Sequence, residues 1–477
     1  MHELKEKCGV FGVYGKGLDV SRLSYFGLFS LQHRGQESSG MAVSDGTLVK
    51  SHKGKGLVAQ AFDEETIKNL AGHIAIGHNR YSTSLGTGLE HAQPIIGDGA
   101  VLALAHNGNL PSIIALVAFL KNEGVATDNK SDSQLMGDAI GHFVAKGLPL
   151  EEAVRKAFPL FTGSFSLLVM DKTTLIAVRD ECGIKPLSIG RLDGGYVVSS
   201  ETCTFSTIGA TFVKDVMPGE MVVFDEKGMR SSLLTLSSHQ KLDVFEFIYF
   251  ARPDSMLLGK SVYEARRNCG VELAKEAEII ADVVVPVPET SIPGAIGYSH
   301  QSGIPFEMGI VKNRYIHRTF IEPDEKLRNQ GAKLKLTPLP AVLNGKRVIV
   351  VDDSVVRGTT TRNLIKAIFE VGAKEVHLVI TSPPVCYPDF YGIDTPDQRQ
   401  LLAFTKNVDE IREFLGATTL HFLSYRGLIA GIGVPEEQLC TSCLTGMYPI
   451  DLRERKKEVQ PACIKVLPHS RAQSEEN

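Results

Sequence analysis

Short apolar runs separated by glycine and asparagine fill the first half of the chain. Runs of this length, bounded by turn residues, predict β-strands, and they lie at 8–13, 73–77, 101–105, 166–170 and 175–178. Helical patterns interrupt the predicted strands at about 19–32, 111–122, 132–145 and 150–157. This mixture predicts a layered α+β domain that ends near residue 230.

The second half of the chain carries near-continuous apolar runs, at Val283–Val287, Arg347–Val351 and Val376–Ile380. Such runs are typical of strands that are covered on both faces. Helical patterns lie between them, for example from Thr361 to Val371, so the second half predicts an α/β doubly wound domain. We place the boundary near Ser232–Leu242, which gives domains of residues 8–235 and 236–468. The polar tail at 469–477 is expected to be disordered.

Composition narrows the functional class. The 477 residues suffice for two or three domains, with 43% hydrophobic and 22% charged residues. A net charge of -4 and a pI near 6.4 argue against a nucleic-acid-binding surface. Neither a membrane span nor a secretory signal is visible, and eight scattered cysteines do not form a disulfide framework. We therefore expect a cytoplasmic enzyme.

A cysteine near the start is the first candidate for chemistry. Cys8 precedes a predicted strand, and taken alone such a residue is more often a small buried core thiol. However, segments 33–38, 77–83 and 105–110 each place polar or cationic groups at the end of an apolar run or helix. If residues 1–7 were removed, the α-amino group of Cys8, with a reference pKa of about 7.7–8.0, could serve as its base.

Nearby polar residues suit acyl transfer on an amino-acid amide. The Asn107 side chain and the Gly108 N–H could supply two donors to an oxyanion. Arg80 could hold an α-carboxylate by a bidentate contact, and Asp132 could take an ammonium group.

Four segments in order carry a resemblance: Cys-Gly-Val-Phe-Gly, Leu-Gln-His-Arg-Gly-Gln-Glu-Ser, Gly-His-Asn-Arg-Tyr-Ser-Thr and His-Asn-Gly-Asn-Leu. They resemble the glutaminase domain of the N-terminal-nucleophile (Ntn) amidotransferases. The resemblance implies a four-layer α/β-β/α sandwich, a propeptide of residues 1–7 and glutamine hydrolysis through a thioester on Cys8. It also implies that Asn107 and Gly108 form the oxyanion hole. Arg80 and Asp132 would bind the amino-acid end of glutamine, and Arg34 and Gly35 would line the nucleophile pocket.

The second candidate centre is an acidic pair followed by a glycine-containing loop. An isolated pair such as Asp352–Asp353 is usually a solvated turn, but this one ends a predicted buried strand, where doubly wound folds bind ligands. Gly358 permits a tight turn, so that N–H groups and threonine hydroxyls can surround a phosphate at the start of a helix. The carboxylates suit sugar hydroxyls or a metal-bound diphosphate.

This segment resembles the phosphoribosyl-diphosphate (PRPP) motif of type I phosphoribosyltransferases. The resemblance implies that Asp352 and Asp353 contact the ribose hydroxyls and, with Ser291, the magnesium diphosphate. It implies a mobile lid beginning at Lys312, although a solvated charged loop is the alternative for that run. The loop for the 5′-phosphate would consist of Ser354, Val355, Val356, Arg357, Gly358, Thr359, Thr360 and Thr361. The diphosphate loop would consist of Glu289, Thr290 and Ser291. Lys312 and Arg318 would contact PRPP from the lid.

The two domains in this order resemble the amidophosphoribosyltransferase family, over a match from about Glu6 to Tyr448 that includes the junction segment Phe245–Ser255. The resemblance implies that glutamine, PRPP and water give 5-phosphoribosylamine, glutamate and diphosphate, the first step of purine synthesis. Ammonia would cross between the sites in a closed apolar passage. Purine nucleotides are expected as feedback inhibitors and a homotetramer as the assembly, with no nucleic acid or membrane partner.

Two other interpretations remain open from the residues. The same glutaminase could serve a sugar-phosphate isomerase or an ATP-dependent asparagine synthetase, but the segment Asp352–Thr361 argues against both. A PRPP-sensing regulator without turnover would need a lost nucleophile or an added DNA-binding helix pair, and we find neither in the sequence.

The chain departs from the family pattern at several positions. Cys440 and Cys443 resemble half of a four-cysteine iron–sulfur site, but the other two ligand positions hold Asp243 and Asp389. Carboxylates suit iron–sulfur iron poorly, so we favour no cluster; a [4Fe-4S] cluster that uses Cys386, or a zinc ion on the two cysteines, is the alternative. His317 replaces a glycine that is usual in the lid, and Glu289-Thr-Ser is one of several variants of the diphosphate loop. The remaining cysteines are interpreted as structural: Cys182, Cys203, Cys269 and Cys463.

Overall fold

The computed structural model describes residues 8–81, 88–97, 102–236, 238–313, 336–392 and 397–467. The predicted propeptide, the polar tail, Arg318 and His317 lie outside these residues. The described residues of the first half form thirteen strands. They are β1 (Gly9–Tyr14), β2 (Ser38–Ser44), β3 (Val49–Lys55), β4 (Ile74–Arg80), β5 (Ile95–Ile96), β6 (Ala103–Ser112), β7 (Thr162–Met170), β8 (Leu175–Arg179), β9 (Ser188–Leu192), β10 (Gly195–Ser199), β11 (Thr211–Asp215), β12 (Glu220–Asp225) and β13 (Gly228–Leu233).

These strands form two antiparallel sheets that face each other. The order is β11-β9-β10-β1-β4-β2-β3 in one sheet and β13-β12-β8-β7-β6-β5 in the other. Side chains from both sheets share one buried cluster, for example Ile76 from β4 with Leu168 from β7. Burial of both strand faces explains why the runs are apolar throughout rather than alternating.

Helices cover the outer face of each sheet and complete four layers. Their bounds are α1 (Val20–Ser30), α2 (Val58–Ala61), α3 (Glu64–Asn69), α4 (Ile114–Asn122), α5 (Asp132–Ala145), α6 (Leu150–Ala157) and α7 (Cys203–Ile208). Leu28 of α1 packs with Phe11 of β1 on the first sheet, and Leu135 of α5 packs with Leu167 of β7 on the second. The predicted four-layer sandwich is confirmed.

One predicted boundary is wrong. The helix expected from 111 begins at Ile114, because residues up to Ser112 continue β6. Ser112 still pairs with Thr162 of β7 across an irregularity in the register. A strand partner thus satisfies backbone groups that the local apolar pattern assigned to a helix.

The second half of the chain has ten strands and eight α-helices among the described residues. The strands are β14 (Leu242–Asp243), β15 (Met256–Leu257), β16 (Lys260–Ser261), β17 (Val283–Pro286), β18 (Ile310–Lys312), β19 (Leu336–Pro338), β20 (Arg347–Asp352), β21 (Glu375–Ile380), β22 (Thr419–Phe422) and β23 (Leu439–Cys440). The helices are α8 (Val262–Glu276), α9 (Ile292–Ser302), α10 (Pro340–Leu343), α11 (Thr359–Glu370), α12 (Leu402–Thr405), α13 (Val408–Leu415), α14 (Tyr425–Ile432) and α15 (Ser442–Thr445).

A parallel sheet in the order β17-β20-β21-β22 forms the centre of this half, as the apolar runs predicted. Helices α8 and α9 pack beside it in direct backbone contact. A Cβ atom on Gly270 would lie 1.9 Å from the Gly294 carbonyl oxygen, so a larger residue at 270 would force the two helices apart. The α8–α9 pair therefore behaves as one unit on the sheet.

The two halves meet along a buried junction. A π-helical turn, Glu246–Phe250, follows β14 and is almost entirely buried. Apolar residues from both halves share a cluster here, with Ile184 on one side and Tyr391 and Ile450 on the other. No helix in the described ranges has the length and apolar character needed to cross a membrane.

His78 bridges the two sheets of the first domain. Its side chain is fully buried, and its ring Nε2 lies 3.0 Å from the His106 carbonyl oxygen. Burial lowers the pKa of His78 to about 3, while the bond to the His106 carbonyl partly opposes the shift. In the unfolded chain the pKa is about 6.5. Between these two pKa values the folded state therefore binds fewer protons than the unfolded chain. The free energy of unfolding is highest above pH ~6.5 and falls as the pH decreases.

We predict that His78→Gln, which keeps a side-chain donor, removes this acid sensitivity. Between about pH 7.5 and about pH 5.5, the wild type should lose about 1.4 kcal/mol more free energy of unfolding than the variant. Urea denaturation at both pH values measures the difference. The exposed His300→Gln is the control and should keep the wild-type pH dependence. Equal pH dependence in His78→Gln and the wild type would contradict the prediction.

Candidate active sites

Cys8 lies immediately before β1, the central strand of the first sheet, and is partly exposed. Gly9 pairs with Asn79 of β4, which brings the end of β4 beside the nucleophile candidate. On the other side, a Cβ atom on Gly9 would lie 3.4 Å from Arg34 Cβ. Cys8 therefore stands between the end of β4 and the turn Gln32–Arg34.

Gly35 and Arg80 are in direct contact. A Cβ atom on Gly35 would lie 2.7 Å from the Asn79 carbonyl carbon and 2.8 Å from the Arg80 nitrogen. No side chain fits at that distance. Glycine at position 35 therefore permits the close approach of this turn to β4. Sequence segments more than forty residues apart thus converge next to Cys8.

The predicted oxyanion donors lie on β6 of the facing sheet. Asn107 is buried, and its Nδ2 has no hydrogen-bond partner among the described residues. A buried amide N–H without a partner costs free energy, which a ligand oxygen would recover. Gly108 has φ of +144°, and a Cβ atom there would lie 2.1 Å from the Ser164 carbonyl oxygen, so only glycine fits.

A polar network fixes this part of β6. Gln93 accepts from the His106 N–H through Oε1 at 2.6 Å, and Ser133 Oγ lies 3.0 Å from His106 Nδ1. Burial lowers the pKa of His106, while the charge of Asp132 opposes the shift. A neutral His106 therefore holds the strand segment that carries Asn107 without adding a charge beside it.

Asp132 is the first residue of α5 and keeps part of its side chain exposed. Its Oδ2 accepts from the Leu110 N–H at 3.2 Å, just beyond the predicted oxyanion donors. Asn109 Nδ2 donates to the Phe390 carbonyl oxygen at 2.9 Å, so the second half of the chain borders this region. The structure thus places Asp132 near the oxyanion strand, with carboxylate oxygen still available to a cation.

The Arg34 side chain lies in a buried cluster of charges, which its predicted role in lining the pocket did not suggest. The guanidinium is 1% exposed and is enclosed by two carboxylates. Its Nε donates to Glu201 Oε1, while its two terminal nitrogens donate to Glu246. The Arg34 Cβ atom lies near Gly9, while the guanidinium joins the two halves of the chain.

The second site lies at the carboxyl end of β20. Asp352 Oδ1 accepts from the Asp353 N–H at 2.9 Å, and Ser354 Oγ donates to Asp353 Oδ1 at 2.7 Å. Gly358 has φ of +70° and precedes α11. The N–H groups of the loop and the first turn of α11 therefore surround a space suited to an anion.

The predicted diphosphate loop lies on the neighbouring strand. Ser291 is buried at the start of α9, and its Oγ donates to Asp352 Oδ1 at 3.4 Å. The peptide bond between Pro288 and Glu289 is cis. Lys312 ends β18 on the same half of the chain. The two loops are thus joined through one carboxylate.

The donor set suits magnesium bound mainly by ligand oxygen. Asp352, Asp353 and Ser291 supply oxygen atoms, which Mg²⁺ prefers, together with water and phosphate. Within the described residues, no group of three or more His, Cys, Asp or Glu side chains is arranged to hold a metal ion. A metal here would therefore depend on the diphosphate for most of its ligands.

The candidate iron–sulfur positions hold a buried ion pair. Lys185 Nζ lies 2.9 Å from Asp243 Oδ2, and both side chains are at most 3% exposed. Burial disfavours the Lys185 charge, but Asp243 and Asp389 hold its pKa above the usual value. A cationic ammonium among the expected ligand positions does not fit an iron–sulfur cluster.

The cysteines near this ion pair do not complete a ligand set. Cys440 lies opposite Asp243 in the β14–β23 pair, and its Sγ lies 3.4 Å from Ser442 Oγ. Burial raises the pKa of the Cys440 thiol to about 12. Cys386 Sγ contacts the Pro384 carbonyl oxygen at 3.3 Å and belongs to a different buried cluster from Cys443. These thiols are held as neutral core groups.

The sequence interpretation missed Glu201 and Glu246. Both side chains are fully buried and both bind Arg34. Glu246 carried a usable signal, because it is the only charged residue in the run Val244–Ala251. A glutamate inside such a run needs a buried cation, since it is almost never fully buried without a partner. Glu201 follows a strand and carried no comparable signal.

Two family models match the chain. One, described as a glutamine amidotransferase domain, matches residues 78–207, and the other, described as a phosphoribosyl transferase domain, matches residues 267–383. The second match disfavours the isomerase and synthetase alternatives, because it places a phosphoribosyl transferase domain after the glutaminase.

Curated relatives cover nearly the whole chain. An amidophosphoribosyltransferase of Mycobacterium tuberculosis is 46% identical over 461 residues, which span 94% of this chain and 87% of the relative. An amidophosphoribosyltransferase of Bacillus subtilis is 43% identical over 459 residues, which span 94% and 95%.

Solved structures agree. The glutamine PRPP amidotransferase of Bacillus subtilis, complexed with ADP and GMP, has a TM-score of 0.87 at 42% identity, covering 94% of this chain and 98% of that chain. A structure described as the allosteric regulatory enzyme of purine biosynthesis has a TM-score of 0.88 at 42% identity, covering 95% and 99%. The chain belongs to the amidophosphoribosyltransferase family, the enzymes that transfer the amide nitrogen of glutamine to PRPP.

Proposed function

We propose that the family reaction runs in this chain through two sites, with Cys8 as the nucleophile of the first and the loop after β20 as the PRPP site. The observations that carry the proposal are the convergence of Cys8, Gly35 and Arg80 and, on the facing strand β6, an Asn107 Nδ2 atom that has no hydrogen-bond partner among the described residues. His78 links β4 to His106, the residue before Asn107. An acyl-transfer site needs a nucleophile and oxyanion donors within reach of one carbonyl group.

Glutamine hydrolysis begins when the Cys8 thiol passes its proton to its own α-amino group and attacks the amide carbon. Asn107 Nδ2 and the Gly108 N–H donate to the oxygen as it becomes negative. The C–N bond then breaks, the nitrogen takes a proton and leaves as ammonia, and a thioester remains on Cys8. Water hydrolyses the thioester and releases glutamate.

Substrate binding follows from charge. Arg80 binds the α-carboxylate of glutamine and Asp132 binds its α-ammonium, so that the amide end reaches Cys8. Gly35 permits the close backbone approach that this geometry needs, and the backbone of Arg34 lines the pocket. Arg34 therefore shapes the pocket, and its guanidinium does not bind glutamine because two glutamates already bind it.

In the second site, ammonia attacks C1 of the ribose as the bond to diphosphate breaks, which gives 5-phosphoribosylamine. The loop Ser354–Thr361 binds the 5′-phosphate at the start of α11. Asp352 and Asp353 hold the ribose hydroxyls, and Glu289–Ser291 hold the diphosphate. Magnesium, when bound beside Ser291, Asp352 and Asp353, neutralises diphosphate charge. Lys312 contributes a further cation, and the proposed lid with Arg318 lies outside the described residues.

Further properties complete the proposal. Purine nucleotides inhibit the enzyme, in line with the ADP and GMP bound to the Bacillus subtilis relative. The active assembly is a homotetramer, and ammonia passes between sites through an apolar passage. The domains span residues 8–235 and 236–468, and the enzyme acts in the cytoplasm. No iron–sulfur cluster takes part, because Lys185 neutralises Asp243 at the corresponding position.

We predict that Cys8→Ser abolishes synthesis from glutamine and preserves synthesis from ammonium. A serine hydroxyl is a much weaker nucleophile at neutral pH, so glutamine-dependent activity should fall below about 1% of wild type. Both rates are measured as PRPP consumption, and Cys463→Ser, at an exposed cysteine, is the control. Loss of both activities in a folded Cys8→Ser protein would refute separate sites.

Removal of residues 1–7 is a separate prediction. Active protein should have the intact mass of a chain that begins at Cys8, because only a free α-amino group there can act as the base. Mass spectrometry of purified, active enzyme measures this directly. A fully active preparation that retains Met1 would show that another group deprotonates the thiol.

We also predict that Asp352→Asn raises the KM for PRPP at least about tenfold with either nitrogen source. A hydrogen bond to a charged group contributes about 1.5–3 kcal/mol, which corresponds to a factor of ten or more in affinity. Steady-state kinetics with ammonium isolate the effect, and the exposed Asp409→Asn serves as the matched control. An unchanged KM for PRPP would place the ribose elsewhere.

A further inference from the structure

Arg34, Glu201 and Glu246 form a buried charge cluster between the two proposed sites. All three side chains are at most 1% exposed. Glu201 also accepts from the Arg252 N–H at 2.8 Å and from Ser255 Oγ at 2.7 Å, both in the second half of the chain. The cluster therefore ties the turn that flanks Cys8 to the start of the second domain.

The second link is the π-helical turn that begins with Glu246. Arg266 of α8 donates through Nε to the Phe247 carbonyl oxygen at 2.7 Å and through a terminal nitrogen to the Ala251 carbonyl oxygen at 2.8 Å. One arginine thus binds the turn near its start and just past its end. Single π-helical turns are rare in proteins and frequently occur at functional sites.

The third link leads from Arg266 to the PRPP loop. Burial lowers the pKa of Arg266 to about 10, against the opposing charges of Asp353, Glu201 and Glu246. Arg266 contacts α9 through its backbone, since a Cβ atom on Gly294 would lie 3.6 Å from the Arg266 carbonyl oxygen. Helix α8 also lies against α9, whose first turn starts at Ser291, the partner of Asp352.

We propose that Glu246 is a positioning residue for glutamine hydrolysis: through Arg34 it holds the wall of the Cys8 pocket, and through the π-helical turn and Arg266 it makes that wall respond to PRPP. The inference rests on the proposed function of both sites. Contacts lead from Asp352 through Ser291 to α9, and from α9 through Arg266 of α8 to the π-helical turn. Glu246 and Arg34 then carry a displacement on PRPP binding to the turn beside Cys8.

Glu246→Gln tests the proposal, because glutamine keeps the shape of glutamate and removes its charge. Glutamate release is measured with and without PRPP, and synthesis from ammonium is measured separately. We expect PRPP to stimulate glutamate release by the wild type, and this stimulation to be at least about fivefold smaller in Glu246→Gln. Synthesis from ammonium by the variant should stay within about twofold of wild type. Glu246→Asp, which keeps the charge, should restore part of the stimulation. Glu264→Gln, at an exposed position on α8, is the control.

The possible outcomes separate coupling from a general structural role. Wild-type stimulation in Glu246→Gln overturns the proposal, and so does an equal loss of the glutamine and ammonium activities. If wild-type enzyme fails to use PRPP even with ammonium, the proposed function itself fails, rather than the role of Glu246.

Hydrogen exchange on the wild-type enzyme gives a second test that does not depend on the folding of a variant. PRPP with magnesium should slow amide exchange in the loop 352–361 and also at 32–36 and 246–251. Protection of the loop alone, with unchanged exchange at the other two segments, would overturn the proposed link.

Discussion

The burial of one guanidinium between two carboxylates is the interaction on which the arrangement of the two domains depends. Arg34 comes from the turn beside Cys8, Glu201 follows a strand of the first sheet, and Glu246 lies near the start of the second domain. Each of these charges would be very costly to bury alone, and each is stable only while the others are present. The domains therefore have a defined relative position, and both sites inherit it.

A second buried pair, Lys185 with Asp243, acts at the same junction. By resemblance to one branch of the family, an iron–sulfur ligand would be expected at position 243. Here that position holds Asp243, which pairs with a lysine from the first domain. The Lys185 ammonium also lies over the Phe250 ring, 5.5 Å from its centroid, at the end of the π-helical turn. Electrostatic pairing across the junction thus supplies a contact between domains that needs no metal.

Two chemical requirements shape the first site. Acyl transfer needs backbone groups close to the substrate, so Gly35 and Gly108 stand where no Cβ atom fits. It also needs donors that are not already satisfied, and the Nδ2 atom of Asn107 has no hydrogen-bond partner among the described residues. The proposed second site instead lies at the end of a parallel strand and the start of a helix, where N–H groups are available to an anion.

The sequence by itself determined the elements whose signals are local. Strand runs, the acidic pair at 352–353 with its loop, and the motif segments around Cys8, Arg80 and Asn107 could be recognised because each depends on neighbouring residues. Only the tertiary structure decided what Arg34 does, because its partners lie 167 and 212 residues away. It also decided that residues up to Ser112 continue a strand, since the hydrogen bonds come from a distant partner. Long-range pairing of buried polar groups leaves little trace in local pattern, and that is where the sequence interpretation stopped.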